Sequence, residues 1–186
     1  MEIRLLNRRK PAEQFEELAA REERKVYAVC FHMMGSREDA MDCAQETMLR
    51  AFRAFSSFRG DAAFGTWITR IAMNVCKDEL RKRRDAVSLD AMREDTGYEI
   101  RDESPGAYAQ LEQKERMRLL REGLSLLPED MRRMIVLRDV QGRSYEEIAG
   151  IVDLPLGTVK SRISRAREKL ATILRKSSEL FSDRSV

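Results

Sequence analysis

Along most of this chain apolar residues recur at steps of three and four, and period-two alternation is scarce. That pattern predicts an all-α protein. Residues 11–34 read as a first helix, with Phe15, Leu18, Ala19, Val26, Val29 and Cys30 on its apolar side. Gly35-Ser36 ends it, and Ser36 is placed to cap a second helix, with Asp39 three residues on as in a capping box. That helix is expected to reach about Phe55 and to bury Ala40, Cys43, Ala44, Met48, Ala51, Phe52 and Phe55. SSFRGDAAFG (56–65) reads as a loop, and a third helix from Thr66 to about Arg81 buries Ile68, Ile71, Ala72 and Val75. Beyond the linker described below, helices are expected from Tyr108 to about Leu126 and from Leu127-Pro128-Glu129 to Val140, with Gln141-Gly142 as a turn.

Residues 144–170 carry the most specific pattern. Tyr145, Ile148, Ala149 and Val152 share one side of a short helix, and Asp153-Leu154-Pro155 breaks it. Gly157-Thr158 then opens a helix in which Val159, Ile163, Ala166 and Leu170 form a narrow stripe at 3.6 residues per turn. The opposite face carries Ser161, Ser164, Arg165 and Glu168, flanked by Lys160, Arg162, Arg167 and Lys169. Two helices joined by a tight turn, the second basic and hydroxylated, predict a helix-turn-helix whose second helix enters a major groove.

Composition adds an organisation. Of the 186 residues, 42% are hydrophobic and 36% charged, so one ordinary domain or two small ones can be built. The net charge of +3 conceals segregation. Residues 85–108 hold Asp85, Asp90, Glu94, Asp95, Glu99, Asp102 and Glu103 against Arg93 and Arg101, with Gly97 and Ser104-Pro105-Gly106 and little apolar periodicity. This is expected to be a flexible acidic linker. The expected layout is a first helical domain over 1–84, a linker over 85–107, a second domain over 108–176 and a frayed tail over 177–186. No apolar run is long enough to span a bilayer, and the first ten residues lack the apolar core of a signal peptide, so the chain is expected to stay in the compartment where it is made.

Two further faces stand out. In the third helix Thr66, Arg70, Asn74, Lys77 and Arg81 align within about a quarter turn. An ordinary solvated face would interleave acids for helical ion pairs, and this one has none. Trp67 sits at its edge beside the aromatic loop, and cations next to aromatics are the combination that holds single-stranded nucleic acid. In the second helix Asp42, Gln45 and Glu46 crowd the first turns. They read equally as stabilisers of the helix dipole or as a partner-docking face.

Catalytic chemistry finds no support. The three cysteines, Cys30, Cys43 and Cys76, form no C-x-x-C pair and lie in apolar patterns, as buried reduced thiols do. Cys30 and the single histidine, His32, do not make a closed metal site. No activated nucleophile or phosphate loop is evident, so no catalytic residue, metal or cofactor is expected.

Two phrases carry a family resemblance: DCAQETMLRAFRAFSSFRGDAAFGTWITRIAMNVCKDELRKR and LPEDMRRMIVLRDVQGRSYEEIAGIVDLPLGTVKSRISRAREKL. In this order and spacing the chain resembles bacterial RNA polymerase sigma factors of the extracytoplasmic-function (ECF) group of the sigma-70 family, over about residues 11–175. The resemblance implies that Asp42, Gln45, Glu46 and Leu49 dock on the clamp helices of the polymerase's largest subunit. It implies that Phe58, Arg59, Phe64, Trp67, Arg70, Asn74, Lys77 and Arg81 capture the melted minus-ten strand, with a flipped base near Asn74. It further implies that Thr158, Lys160, Ser161, Arg162, Ser164, Arg165 and Arg167 contact the minus-thirty-five duplex, and that the acidic linker threads the polymerase's nucleic-acid channels. Implied partners are core polymerase, promoter DNA and an anti-sigma factor that can hold a cytoplasmic protein at the membrane. Gly65, where relatives often carry a bulkier residue, and Met48, where many have phenylalanine, depart from the pattern. The competing expectations are a stand-alone helix-turn-helix regulator, a nucleic-acid enzyme lacking visible chemistry, and a helical protein adaptor.

Overall fold

A computed structural model describes the backbone of residues 11–87 and 107–182 and the side chains of 12–84 and 116–176; most of the expected linker lies outside these residues. It contains α1 (Pro11–Met34), α2 (Arg37–Ala54), α3 (Phe64–Val87), α4 (Ala107–Ser125), α5 (Glu129–Ile135), α6 (Tyr145–Val152) and α7 (Leu156–Ser182). A 3-10 turn, Phe55–Ser57, follows α2, and a π-helical turn, Val136–Val140, follows α5. No strand occurs among the described residues. The last helix runs through Ser182, beyond the point where fraying was expected.

Helices α1, α2 and α3 pack on one another around Val26, Val29, Cys30, Met33, Ala40, Cys43, Ala51, Ile68, Ala72, Met73 and Cys76, all buried. The thiol of Cys76 contacts those of Cys30 and Cys43, and all three are free. Ser36 caps α2 by accepting from the Asp39 N–H at 3.4 Å. The capping box is only half formed, because the Asp39 carboxylate turns to Arg83 of α3 instead. A charged partner across the bundle outcompetes a backbone N–H that water can also satisfy. Arg50 makes a parallel tie, reaching Glu46 at 2.7 Å and Asp78 at 3.1 Å.

Phe52 departs from expectation. It is 52% exposed rather than buried, and meets the core in an edge contact with Phe15 (ring centroids 5.3 Å apart). One step of 100° beyond the fully buried Ala51 carries it to the rim of the apolar face.

The second set buries Leu124, Leu127, Met134, Val136, Leu137, Ile148, Ile151, Val159, Ile163, Ala166 and Leu170. Gly123 lets α4 approach α7 closely: a Cβ there would lie 2.9 Å from Leu174 Cδ2 and 3.1 Å from Leu170 Cδ1. Helix α6 begins with a complete capping box, Glu147 N–H to Ser144 Oγ at 3.1 Å and Ser144 N–H to Glu147 Oε2 at 2.9 Å. It ends at Asp153, which takes a left-handed conformation (φ 54°) that a short polar side chain tolerates. The Leu154 N–H then closes on the Ala149 carbonyl at 3.2 Å, and α7 starts directly after Pro155. The helix-turn-helix therefore forms where the apolar pattern places it.

The two sets also touch. Helix α1 meets α4, α5 and the π-helical turn, and α3 meets α6.

Candidate nucleic-acid interface

The solvent face of α7 is set by its buried one. Val159, Ile163 and Ala166 are buried to within 1% and Leu170 to 9%, which fixes the rotation of the helix. Lys160, Ser161, Ser164 and Arg165 consequently face solvent, and Thr158 is half-buried at the first turn. The Arg165 guanidinium rests on its own helix, 3.3 Å from the Ser161 carbonyl and 3.4 Å from Ser161 Oγ, so its fork can swing outward without breaking an ion pair with a carboxylate. Ser164 Oγ donates to Glu168 at 3.4 Å.

The flanking arginines differ. Arg167 makes a two-pronged pair with Asp139, its Nε at 3.1 Å, and Arg162 lies 3.7 Å from Asp130. A phosphate approaching either one has to replace a carboxylate already in place. Tyr145 was legible only as an apolar position, yet it carries the Arg138 guanidinium 4.7 Å above its ring and the Lys160 ammonium at 5.8 Å. Arg138 also donates to the Arg143 carbonyl at 2.6 Å. Both adjoin the basic face, and the sequence carried no signal for Arg138 beyond its own charge.

On α3 the expected polar stripe is present, with Arg70, Asn74, Lys77 and Arg81 all exposed. Helix α3 starts at Phe64, earlier than expected, because the Thr66 and Trp67 N–H groups both reach the Ala63 carbonyl, at 2.9 and 3.1 Å. The loop aromatics gather beside its first turn. Phe58 lies 5.0 Å from Trp67 and 5.6 Å from Phe64, and Phe64 lies 5.5 Å from Trp67. Phe64 is buried (8% exposed) and belongs to the core, whereas Phe58 and Trp67 keep part of their rings accessible. Arg59 is exposed in the loop. Thr66 is set apart from the rest of the stripe by contacts with the second set of helices.

On α2, Asp42, Gln45 and Leu49 face solvent, and the half-buried Glu46 is engaged with Arg50. The same side exposes Met41 (56%), Leu49 (46%) and Phe52. Their steps of four, four and three through Gln45 are visible in the sequence. An apolar strip edged by an acid and an amide is the form of a protein-docking face rather than of a nucleic-acid one.

Electrostatics tie the helix-turn-helix to its surroundings. The Ser144 N–H, followed by Arg143 and Thr66, holds the Glu147 carboxyl below its ordinary value of 4.5. Arg83, with help from Ser36, holds Asp39 below 3.8. A carboxylate depressed by folding stabilises the fold above its unfolded value and loses that contribution as pH falls through the folded one. Melting temperature is therefore expected to drop on acidification below about pH 4.5. Glu147→Gln, which keeps the cap but does not titrate, should flatten part of that slope in thermal melts; parallel curves for the two proteins would exclude Glu147 as a contributor.

Among the described residues no group of three or more His, Cys, Asp or Glu is placed to hold a metal ion, and no helix is long and apolar enough to cross a membrane.

Comparison with known proteins agrees with this arrangement. The family model for Sigma-70 region 2 matches residues 18–86, and that for Sigma-70, region 4 matches residues 117–170. The first match covers α3 with its stripe, and the second covers the helix-turn-helix. The chain is 39% identical over 162 residues to the ECF RNA polymerase sigma-E factor of Haemophilus influenzae, covering 84% of this chain and 85% of that protein. It is 40% identical over 166 residues to the ECF RNA polymerase sigma-E factor of Escherichia coli K12, covering 84% of each. The RNA polymerase sigma-H factor of Pseudomonas aeruginosa is 37% identical over 164 residues, covering 84% of this chain and 83% of that protein. The same fold occurs in the sigma factor RpoE of Bartonella quintana, solved in complex with the anti-sigma factor NepR (TM-score 0.73, 24% identity, 88% of this chain and 98% of that one). CnrH, solved with the cytosolic domain of CnrY, is similar at a TM-score of 0.64 and 26% identity, over 89% of this chain and 90% of that one. Two small all-α domains, the second ending in a helix-turn-helix, are the architecture of a promoter-specificity factor. The chain belongs to the sigma-70 family of RNA polymerase sigma factors, in its extracytoplasmic-function group, and is an alternative sigma factor rather than a stand-alone helix-turn-helix regulator.

Proposed function

We propose that the two basic faces are the promoter contacts of this sigma factor and that the apolar strip on α2 is its polymerase contact. The observation that carries the reading is one solvent-facing basic face in each domain, on helices whose opposite sides are locked into the core. Residues 1–84 form the part that docks on core polymerase and captures the minus-ten strand. Residues 108–176 form the part that reads the minus-thirty-five duplex, joined to the first by 85–107.

In the first part Asp42, Gln45, Glu46 and Leu49 meet the clamp helices of the largest subunit, and Met41 and Phe52 extend that apolar contact. Phe58 and Trp67 supply the accessible rings on which an unstacked base rests. Arg59, Arg70, Lys77 and Arg81 follow the strand backbone, Asn74 hydrogen-bonds the captured base, and Phe64 supports the pocket from the core. In the second part Lys160, Ser161, Ser164 and Arg165 reach base edges and neighbouring phosphates. Thr158, Arg162 and Arg167 serve phosphates, the two arginines by exchanging their carboxylates.

Polymerase makes the RNA and this chain supplies recognition, so it is not an enzyme. It acts in the cytoplasm with core polymerase and promoter DNA. The relatives solved with NepR and CnrY support an anti-sigma factor as a further partner.

Run-off transcription with core polymerase, with and without the protein, on a promoter library is the test. The expected result is a product that appears only with the protein and only from a subset of promoters sharing two spaced elements. No promoter-dependent product would overturn the assignment of both faces.

A further inference from the structure

We infer that Arg143 and Glu147 form a latch between the two domains that keeps the free protein shut and competes with strand capture for the head of α3. Arg143 stands just before the helix-turn-helix, yet its side chain is seated in the other domain. Its Nη2 donates to the Gly65 carbonyl at 3.1 Å and to Thr69 Oγ1 at 3.2 Å, and its Nη1 lies 3.4 Å from Thr66 Oγ1. Glu147 holds the guanidinium from behind at 3.0 Å and accepts from Thr66 Oγ1 at 3.2 Å. Only 14% of the Arg143 side chain is exposed.

The surrounding contact adds further polar pairs to apolar packing, since the buried residues of both sets form one hydrophobic cluster. Arg132 of α5 donates to the Met33 carbonyl at 2.5 Å, the Gln141 amide to the Lys25 carbonyl at 3.4 Å, and Arg84 pairs with Glu129 at 3.2 Å. The Arg121 guanidinium lies 5.7 Å from the Phe31 ring centroid. The polar pairs exchange hydrogen bonds with protein for hydrogen bonds with water on opening, so they set the geometry of the closed form without making its release prohibitive.

Two consequences make the contact a regulatory one. Minus-ten and minus-thirty-five elements lie about 25 base pairs apart by name, on the order of 80 Å of duplex at 3.4 Å per step. Helices α3 and α7 cannot serve both elements while Arg143 is seated on Gly65. Thr66 also heads the stripe that we assign to the captured strand, and the Glu147 carboxylate stands against its hydroxyl where a phosphodiester would be repelled. The competition part of the inference rests on that assignment; the latch itself does not.

The test uses the full chain with dyes on Glu23→Cys and Lys176→Cys, two exposed positions in different domains, the native cysteines being buried. High energy transfer is expected in the free protein. In Arg143→Ala the closed-to-open ratio should fall about tenfold, the effect of losing charge-assisted hydrogen bonds, with far-UV circular dichroism unchanged. Arg143→Lys keeps the charge beside Glu147 but loses the fork, so it should also lower transfer, and it decides the matter if the alanine variant misfolds. Unchanged transfer in a folded variant overturns the latch. In parallel, the affinity of the free protein for a fluorescent single-stranded promoter oligonucleotide should rise by a similar factor in Arg143→Ala. A rise in opening without a rise in affinity overturns the competition. Binding by neither protein would count against the strand assignment on α3, while energy transfer still judges the latch.

Discussion

Ile163→Ala should destabilise the second domain by ~2–5 kcal/mol, the usual cost of truncating a fully buried aliphatic side chain and leaving part of its cavity open. Ile163 is 1% exposed at the centre of the α7 stripe, between Val159 and Ala166, each fully buried. Its near-complete burial places the expected cost well inside that range. In a domain of this size each kcal/mol moves the melting temperature by about 4–8 °C, so a fall of 10 °C or more should appear in thermal melts. A shift under about 3 °C would mean that α7 is not held by this stripe, and with it the rotation that defines the reading face would fail.

Arg165→Ala, two residues and about half a turn away on the same helix, should do the reverse. Its side chain is exposed and, among the described residues, bonded to Ser161 of its own helix, so stability should stay within about 0.5 kcal/mol of the parent. Promoter recognition should weaken by ~1–3 kcal/mol at one base pair of the minus-thirty-five element if the fork reads a guanine. Run-off transcription across promoters varied one position at a time gives the measurement. Equal weakening on every promoter would reassign Arg165 to a phosphate. The two variants together separate what the helix is held by from what it does.

The two basic faces were legible because both rest on periodicity. Arg70, Asn74, Lys77 and Arg81 align on α3 whatever their neighbours do, and Lys160, Ser161, Ser164 and Arg165 oppose the α7 stripe for the same reason. The apolar strip on α2 was only half legible. Leu49 entered through resemblance, and Phe52 was counted as core because its step from Ala51 falls on the boundary between faces. Phe58 and Phe64 read alike as loop aromatics, and packing then separated them into an accessible ring and a buried support.

By itself the sequence determined the helices, their buried faces, the turn at Asp153 and the basic character of α3 and α7, since local backbone geometry and apolar spacing carry all of these. Tertiary structure decided the partners of long charged side chains. Asp39 chose Arg83 over its own helix cap, Arg167 chose Asp139 over solvent, and Arg143 crossed to Gly65 and Thr69 in the other domain. A flexible guanidinium can reach many acceptors within several ångströms, and which one it takes depends on where distant helices bring carbonyls and carboxylates. No spacing along the chain encodes that choice.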